Sequence, residues 1–147
     1  MSTEPLIIVM ADDDPDDRMI TRLALQKCKF ESDFRFVSDG EQLLDYLYRR
    51  GPYENPYYSP VPGIILLDIH MPKKNGLEVL QEIKSHPEFR HIPIVMLTSS
   101  QRKEDIQNSY KMGVNSYINK PVSFKGYLED MKVIGQYWFD IVRLPSN

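Results

Sequence analysis

The sequence has one cysteine, no excess of basic residues and no long apolar run among its 147 residues. Because Cys28 has no second cysteine to pair with, an internal disulfide is excluded and a reducing compartment is favoured. The 18 basic and 21 acidic residues give a net charge of −3, which does not favour binding to nucleic acid. No apolar run is long enough to cross a membrane, and the N-terminus does not have the pattern of a signal peptide. We therefore expect a cytoplasmic protein that binds neither nucleic acid nor a membrane.

The remaining composition is that of an ordinary globular domain. Hydrophobic residues make up 41% of the chain and charged residues 27%, and 147 residues are enough for one substantial core. We expect a single domain over residues 1–147, with its core at about 6–136 and an aromatic C-terminal extension at 137–147.

Four short apolar runs are typical of buried strands, and each ends in polar residues. The runs are 6–11, 64–67, 92–97 and 114–119. A carboxylate at the end of a buried strand is costly unless something uses it, so these ends are the first candidates for a site. In chain order, the polar residues at the four ends are Asp12 with Asp13, Asp68, Thr98 and Lys120.

Helical spacing of apolar residues separates the strands, and capping residues mark where the helices begin and end. Residues 34–37 alternate between apolar and polar like a further strand, which brings the number of predicted strands to five. The alternation of strand and helix, repeated five times, predicts a parallel sheet covered by helices on both faces. Because the carboxyl ends of parallel strands meet at one edge, the polar strand ends should lie together. The predicted helices run from the Asp14 cap to about Cys28, from Asp39, from the Asn75–Glu78 capping box, over 103–112 to a stop at Gly113, and from after Ser123.

A long proline-rich and tyrosine-rich segment, 51–62, follows the second helix. Its four prolines and three tyrosines predict a loop without a regular element. Such a loop is long for a compact α/β domain. It either binds a partner or packs through its own tyrosines, and the sequence leaves both open.

The polar strand ends predict a chemistry of phosphoryl transfer assisted by a metal. Carboxylates at Asp12, Asp13 and Asp68 suit a hard cation, and Mg²⁺ typically takes one or two carboxylates plus phosphate oxygens. The acidic run is not an EF-hand, because no start within it supplies both the required glycine and the required glutamate. Asp68 could attack a phosphoryl group, with Lys120 supplying positive charge and Thr98 a hydroxyl donor.

With these residues in these places, the chain resembles the receiver domains of two-component response regulators from about Leu6 through the fifth helix. The resemblance implies a flavodoxin-like (βα)5 fold, a doubly wound parallel five-stranded sheet in the order 2-1-3-4-5. It also implies that Asp68 accepts a phosphoryl group from a sensor histidine kinase. The protein would then be a phosphoacceptor that assists its own phosphorylation and dephosphorylation, rather than an enzyme.

The same resemblance assigns roles to the neighbours of Asp68. It implies that Asp13 and Asp68 bind Mg²⁺ directly, that Asp12 assists through water, and that the backbone carbonyl of His70 is a further ligand. It implies that Thr98 and Tyr117 form a switch, in which Thr98 moves towards the phosphoryl group and the tyrosine turns inward behind it. We expect this change to remodel the face made by the fourth helix, the fifth strand and the fifth helix.

The segment 51–55 and the tryptophan-containing tail resemble those of single-domain regulators paired with phytochrome kinases. We expect no output domain after the fifth helix, and we therefore expect signalling by protein contact. The resemblance implies a homodimer through the fourth helix, the fifth strand and the fifth helix, extended by the tail. A tail folded back on its own domain is the alternative. The apolar tail residues of the expected interface are Tyr137, Trp138, Phe139, Ile141, Val142 and Leu144.

Two other functions compete with this interpretation. The spacing of Asp12 and Asp14 fits a small phosphatase of the haloacid dehalogenase type, which uses an aspartate nucleophile and a second aspartate two positions later. That enzyme would leave Asp68 without a role. A receiver-like adaptor that is never phosphorylated is the other alternative, and the intact set of strand-end residues argues against it.

Overall fold

The computed structural model describes residues 6–27, 32–98, 102–120, 126, 129–130 and 132–133, and within them the predicted alternation is confirmed. The five strands are β1 (Leu6–Ala11), β2 (Ser32–Val37), β3 (Ile64–Leu67), β4 (Ile94–Thr98) and β5 (Ser116–Asn119). The helices with continuous bounds are α1 (Pro15–Gln26), α2 (Gly40–Tyr48), α3 (Gly76–Ser85) and α4 (Lys103–Lys111). The described residues beyond position 125, where a fifth helix is predicted, are helical.

The sheet has the predicted topology. All neighbouring strands pair in parallel, in the order β2-β1-β3-β4-β5. In such a sheet the chain order reverses between β1 and β3, and ligands bind in the crevice outside the carboxyl ends of the strands at that point. The topology therefore places the ends of β1 and β3 at the centre of the candidate site.

Successive side chains of the strands pack into two separate cores, one on each face of the sheet. On one face, Val9 and Ile65 lie in a cluster with the apolar sides of α2 and α3. On the other face, Ile8 and Leu66 pack with Ala24 of α1. Because β3 and β4 are buried along their whole length, they read in the sequence as continuous apolar runs.

The predicted helix caps are in place. The Asp14 carboxylate accepts a hydrogen bond from the Asp16 amide over 2.9 Å, and Asn75 forms a reciprocal capping box with Glu78. These bonds satisfy amides that the first turn of a helix leaves without a partner. At the C-terminal end of α4, Met112 is the cap residue, and Gly113 follows with a positive φ of 97°.

Two strand boundaries are later than the sequence predicts. β4 begins at Ile94, because Pro93 has no amide hydrogen to donate to a ladder. β5 begins at Ser116, because Asn115 uses its side chain to accept a hydrogen bond from the Ile94 amide over 2.9 Å. The Val114 amide instead donates back to the end of α4. Cys28, the predicted end of α1, lies outside the described residues.

The expectation that segment 51–62 has no regular element is wrong. Two short 3₁₀ helices, Gly51–Tyr53 and Pro56–Tyr58, lie within it. Each has a proline in its first turn, where the missing amide hydrogen is not needed. Asn55 caps the second, accepting from the Tyr57 amide over 3.0 Å.

The tyrosines of this segment divide between the core and the surface. Tyr53 packs on the Tyr46 ring, with 5.3 Å between the ring centroids, and accepts a hydrogen bond at its carbonyl from the buried Ser59 hydroxyl. Tyr57 and Tyr58 are exposed. The segment therefore packs through Tyr53 and leaves two aromatic rings at the surface. No helix in the described part of the chain is long and apolar enough to cross a bilayer.

Candidate functional site

The carboxylates of Asp12 and Asp68 lie side by side because their backbones continue the pairing of the sheet by one residue. The Asp12 amide donates to the Val37 carbonyl and the Asp68 amide donates to the Ala11 carbonyl, each over 3.1 Å. Backbone hydrogen bonds alone therefore hold the two residues at the carboxyl edge of the sheet. Both side chains are buried.

Thr98 and Lys120 occupy the same edge on the next two strands. Thr98 is the last residue of β4 and is fully buried. Its carbonyl accepts a hydrogen bond from the Lys120 amide over 2.8 Å, so the lysine follows directly after β5. The structure thus confirms that the four polar strand ends share one edge of the sheet.

Three carboxylates at this edge form a group that could hold a metal ion. Oxygen atoms of Asp12, Asp13 and Asp68 all lie within 4.8 Å of one another. Asp13 is exposed and the other two are buried, so the group is open to solvent on one side. Hard divalent cations with oxygen ligands and retained waters, such as Mg²⁺, suit such a donor set. The residues therefore fit a divalent metal site.

The backbone after Asp68 is held by the start of α3. A Cβ atom at Gly76 would stand 2.1 Å from the Asp68 carbonyl oxygen, so only glycine allows the helix to approach this closely. The Gly76 amide also donates to the Ile69 carbonyl over 2.8 Å. The His70 side chain is exposed, and its amide lies 3.4 Å from an Asp68 carboxylate oxygen.

Lys120 connects the carboxylates at this edge. Its ammonium nitrogen lies 2.5 Å from Asp12 Oδ2, 2.7 Å from Asp17 Oδ2 and 3.2 Å from Asp68 Oδ2. An ammonium group has three donors, and here each can meet one carboxylate. The side chain is only 10% exposed, so these contacts are largely shielded from water.

Burial and charge act in opposite directions on the protonation of this group. Burial raises the pKa of Asp12 from 3.8 to about 6, against the hydrogen bond and charge of Lys120, which lower it. Burial by itself would lower the pKa of Lys120, but its hydrogen bonds and charge interactions with Asp12, Asp17 and Asp68 outweigh burial and raise it. At neutral pH the buried pair is therefore a carboxylate and an ammonium ion.

Asp17 is the contact of Lys120 that the sequence analysis did not find. It lies in the first turn of α1, where an acidic residue is favoured by the helix dipole alone. A signal was nevertheless present, because α1 begins just after the acidic end of β1. Its first turn must therefore lie over the same edge of the sheet.

The predicted switch residues are on neighbouring strands but at different depths. Thr98 pairs in register with Asn119, whereas Tyr117 pairs with Met96, two residues before the edge. Tyr117 is half-buried, and its amide donates to the Tyr110 hydroxyl over 3.2 Å. The predicted interface residues of the tail, 137–144, lie outside the described residues.

Asp14 is not placed to act as a catalytic partner of Asp12. Its side chain is exposed and accepts the hydrogen bond that caps α1. Its amide donates to the Asp12 carboxylate over 2.9 Å, which is a turn contact between neighbours in the chain. This geometry does not favour a phosphatase built on Asp12 and Asp14.

Comparison with known proteins identifies the family. The family model for the response regulator receiver domain matches residues 8–132. Response regulator Rcp1 of Synechocystis sp. is 34% identical over 145 residues, which cover 99% of this chain and 97% of the relative.

Solved structures agree with this match over nearly the whole chain. A crystal structure of the Mn²⁺-bound form of Rcp1 has a TM-score of 0.90 at 34% identity. A structure of the phosphorylated cyanobacterial phytochrome response regulator RcpA has a TM-score of 0.91 at 35% identity. Both similarities cover 97% of this chain and 100% of the other. The chain belongs to the family of response regulator receiver domains and acts in two-component signalling.

Proposed function

We propose that Asp68 is the residue that accepts the phosphoryl group and that a sensor histidine kinase is the donor. The observation that carries this proposal is the convergence of the four strand ends. Asp68 lies beside two further carboxylates and 3.2 Å from the Lys120 ammonium nitrogen. A nucleophilic carboxylate, a place for a divalent cation and a fixed positive charge are the parts that phosphoryl transfer needs.

The donor in this transfer is a phosphohistidine of the kinase. An Asp68 carboxylate oxygen attacks phosphorus, and an O–P bond forms as the P–N bond breaks. The electron pair of that bond returns to the imidazole nitrogen. The product is an aspartyl phosphate, which water later hydrolyses to restore the carboxylate. The chain takes part once per phosphoryl group, as a signalling protein rather than as an enzyme with a separate substrate.

The metal in this proposal is Mg²⁺. Asp13 and Asp68 would hold it directly, Asp12 through water, and the backbone carbonyl of His70 would be a further ligand. When bound, it would offset the repulsion among the clustered carboxylates and the charge on the phosphoryl oxygens. The carboxylate group at this edge supports the proposal, as does the Mn²⁺-bound structure of the similar protein Rcp1.

Lys120 and Thr98 act on the other side of the phosphoryl group. Lys120 already faces Asp68, and its ammonium would donate to a phosphoryl oxygen. Thr98 ends β4 at the same edge and would donate its hydroxyl. In the proposed switch, movement of Thr98 lets Tyr117 turn inward, which changes the surface of α4 and β5.

The partners in this proposal are a kinase of the phytochrome class and a second copy of the chain. The similarity to a phytochrome response regulator supports the first. We also propose a cytoplasmic location, because a single cysteine suits a reducing compartment. The dimer would use α4, β5, the predicted fifth helix and the 137–147 extension. Sedimentation velocity should then give a mass that rises with protein concentration towards a dimer. A monomer at every concentration would refute the dimer.

Intact mass spectrometry after incubation with acetyl phosphate and Mg²⁺ tests the proposed function. The wild type should gain one phosphoryl group, and Asp68→Asn should gain none. The matched control is Asp14→Asn, because asparagine caps a helix as well as aspartate does. It should label like the wild type, whereas a phosphatase based on Asp12 and Asp14 would lose its activity.

Two results would contradict the proposal that Asp68 accepts a phosphoryl group. Labelling of Asp68→Asn to the extent of the wild type would show that another residue is the acceptor. Failure of the wild type to label, under conditions that label another receiver domain, and failure to bind beryllofluoride would favour an adaptor that is never phosphorylated.

A further inference from the structure

Asp17 has a contact that its place in the helix does not require. The helix dipole favours an acidic residue anywhere in the first turn of α1, and both Asp16 and Asp17 lie there. Asp16 is exposed. Asp17 instead reaches the Lys120 ammonium nitrogen over 2.7 Å, with its side chain 27% exposed. Of two neighbouring acidic residues, only one is joined to the candidate site.

The backbone on either side of this contact is well held. The Thr21 hydroxyl donates to the Asp17 carbonyl over 2.8 Å, and the Asp14 cap fixes the start of the same turn. Lys120 is fixed at its amide by the end of β4. The contact therefore joins α1 to the residue that follows β5, and hydrogen bonds hold the backbone at both of its ends.

A divalent cation and Lys120 compete for the same carboxylates. Asp12 and Asp68 belong both to the group that could hold a metal and to the set that contacts Lys120. A cation bound to that group would repel the ammonium, and an ammonium that is buried without a partner is costly. Asp17 lies outside the metal group and can keep the lysine paired while the cation takes the other two.

We propose that Asp17 is a positioning residue that holds the Lys120 ammonium beside the site when a divalent cation occupies Asp12, Asp13 and Asp68. The site can then contain the cation and the lysine at the same time, as phosphoryl transfer to Asp68 requires. This inference rests on the proposed function only for the use of Lys120 in the transfer. The effect on cation binding can be measured without any phosphorylation.

Binding of Mn²⁺, followed by the loss of its electron paramagnetic resonance signal, tests the inference directly. Asp17→Asn should raise the dissociation constant for Mn²⁺ about tenfold, the range found when a residue that supports metal ligands is removed. Asp16→Asn is the matched control, since it removes the same charge one residue away. It should change the constant by less than about twofold, because its charge is screened by solvent. Equal effects of the two substitutions would overturn the inference.

A double-mutant cycle separates an effect through Lys120 from a direct attraction of the cation. In a Lys120→Met background, adding Asp17→Asn should weaken Mn²⁺ binding by less than about twofold, because there is no ammonium left to hold. An undiminished effect in that background would show that Asp17 acts on the cation by its own charge. Asp17→Glu keeps the charge, and it should bind Mn²⁺ more tightly than Asp17→Asn does. A glutamate variant as weak as the asparagine variant would also contradict the inference.

Failure of this inference can be told from failure of the proposed function. If the wild type labels on Asp68 but Asp17→Asn binds Mn²⁺ like Asp16→Asn, only the role of Asp17 is wrong. If the wild type binds Mn²⁺ with the expected dependence on Asp17 but never accepts a phosphoryl group, the proposed function is wrong and the positioning of Lys120 stands. Thermal denaturation of each variant checks that it is folded before binding is compared.

Discussion

The central strands and the β5 edge of the sheet differ in how closely their residues are packed. Every residue of β3 and β4 is buried, whereas β5 has three half-buried residues and one exposed residue. The carboxylates of the site belong to the ends of β1 and β3. Tyr117, the proposed switch residue, belongs to β5.

This difference fits a division between chemistry and response. Groups that must keep a fixed geometry are best placed on densely packed strands, whereas elements that change arrangement come from the less stable parts of a fold. Among the described residues, every buried side-chain nitrogen or oxygen has a hydrogen-bond partner, so the centre is held by polar contacts as well as by packing. The edge strand β5 pairs on one side only, with β4.

The largest expected effect comes from disturbing the densely packed centre of the sheet at Gly76, which lies against the backbone of Asp68. Alanine there would place its Cβ atom 2.1 Å from the Asp68 carbonyl oxygen and 2.9 Å from the Asp68 carbonyl carbon, and backbone atoms cannot move aside cheaply. We expect Gly76→Ala to lower the free energy of unfolding by about 3 kcal/mol and to slow phosphorylation of Asp68. Urea denaturation and intact mass measure the two effects.

Gly51→Ala is the control for that substitution. Gly51 has a positive φ of 59°, and a Cβ atom there would have no neighbour within 4 Å. The cost should be only the backbone strain of alanine in that region, about 1 kcal/mol, with unchanged phosphorylation. If both variants lost the same stability and both labelled normally, the close approach of α3 would not be what positions Asp68.

A smaller effect, which sharpens the comparison, is the pH dependence of cation binding by the carboxylates at the ends of the central strands. Since burial raises the pKa of Asp12 from 3.8 to about 6, a cation that binds below pH 6 must displace a proton. The logarithm of the affinity for Mn²⁺ should fall by about one for each pH unit below about 6. Titration of Mn²⁺ at several pH values measures this slope.

Without a cation, the Asp12 carboxyl group affects the stability of the fold. Its contribution to stability rises at low pH, where the affinity for a cation falls. The folded protein binds the Asp12 proton more tightly than the unfolded chain, so its contribution to stability is present below about pH 4 and is lost as the pH rises through 6. Asp12→Asn should remove that contribution, which the difference between the two unfolding curves would show. A wild type whose cation affinity is flat between pH 5 and 7 would contradict the raised pKa.

Much of this site could be predicted from the sequence, because strand ends and caps are local signals. Buried strands end where apolar runs end, and parallel topology then brings Asp12, Asp68, Thr98 and Lys120 to one edge. The caps at Asp14 and Asn75 depend only on residues two or three positions away. Such features need no knowledge of how the helices are oriented.

The features that the sequence did not predict depend on how the elements are placed in three dimensions, or on local signals that fit two structures equally well. The contact between Asp17 and Lys120 joins residues 103 positions apart and requires the angle at which α1 leaves the sheet. The late start of β5 follows from one Asn115 side chain that takes a backbone partner. The 3₁₀ helices in segment 51–62 were not predicted because proline is typical both of loops and of the first turn of a helix.

The most direct test is a comparison of backbone amide resonances with and without the phosphoryl mimic beryllofluoride, in the presence of Mg²⁺. With the mimic on Asp68, the amides of Thr98 and Tyr117 should shift strongly, whereas that of Ile8, in the middle of β1, should not. Asp68→Asn should show no change at any of these positions. If the mimic binds the wild type and the Tyr117 amide stays where it was, signalling through the β5 edge is contradicted.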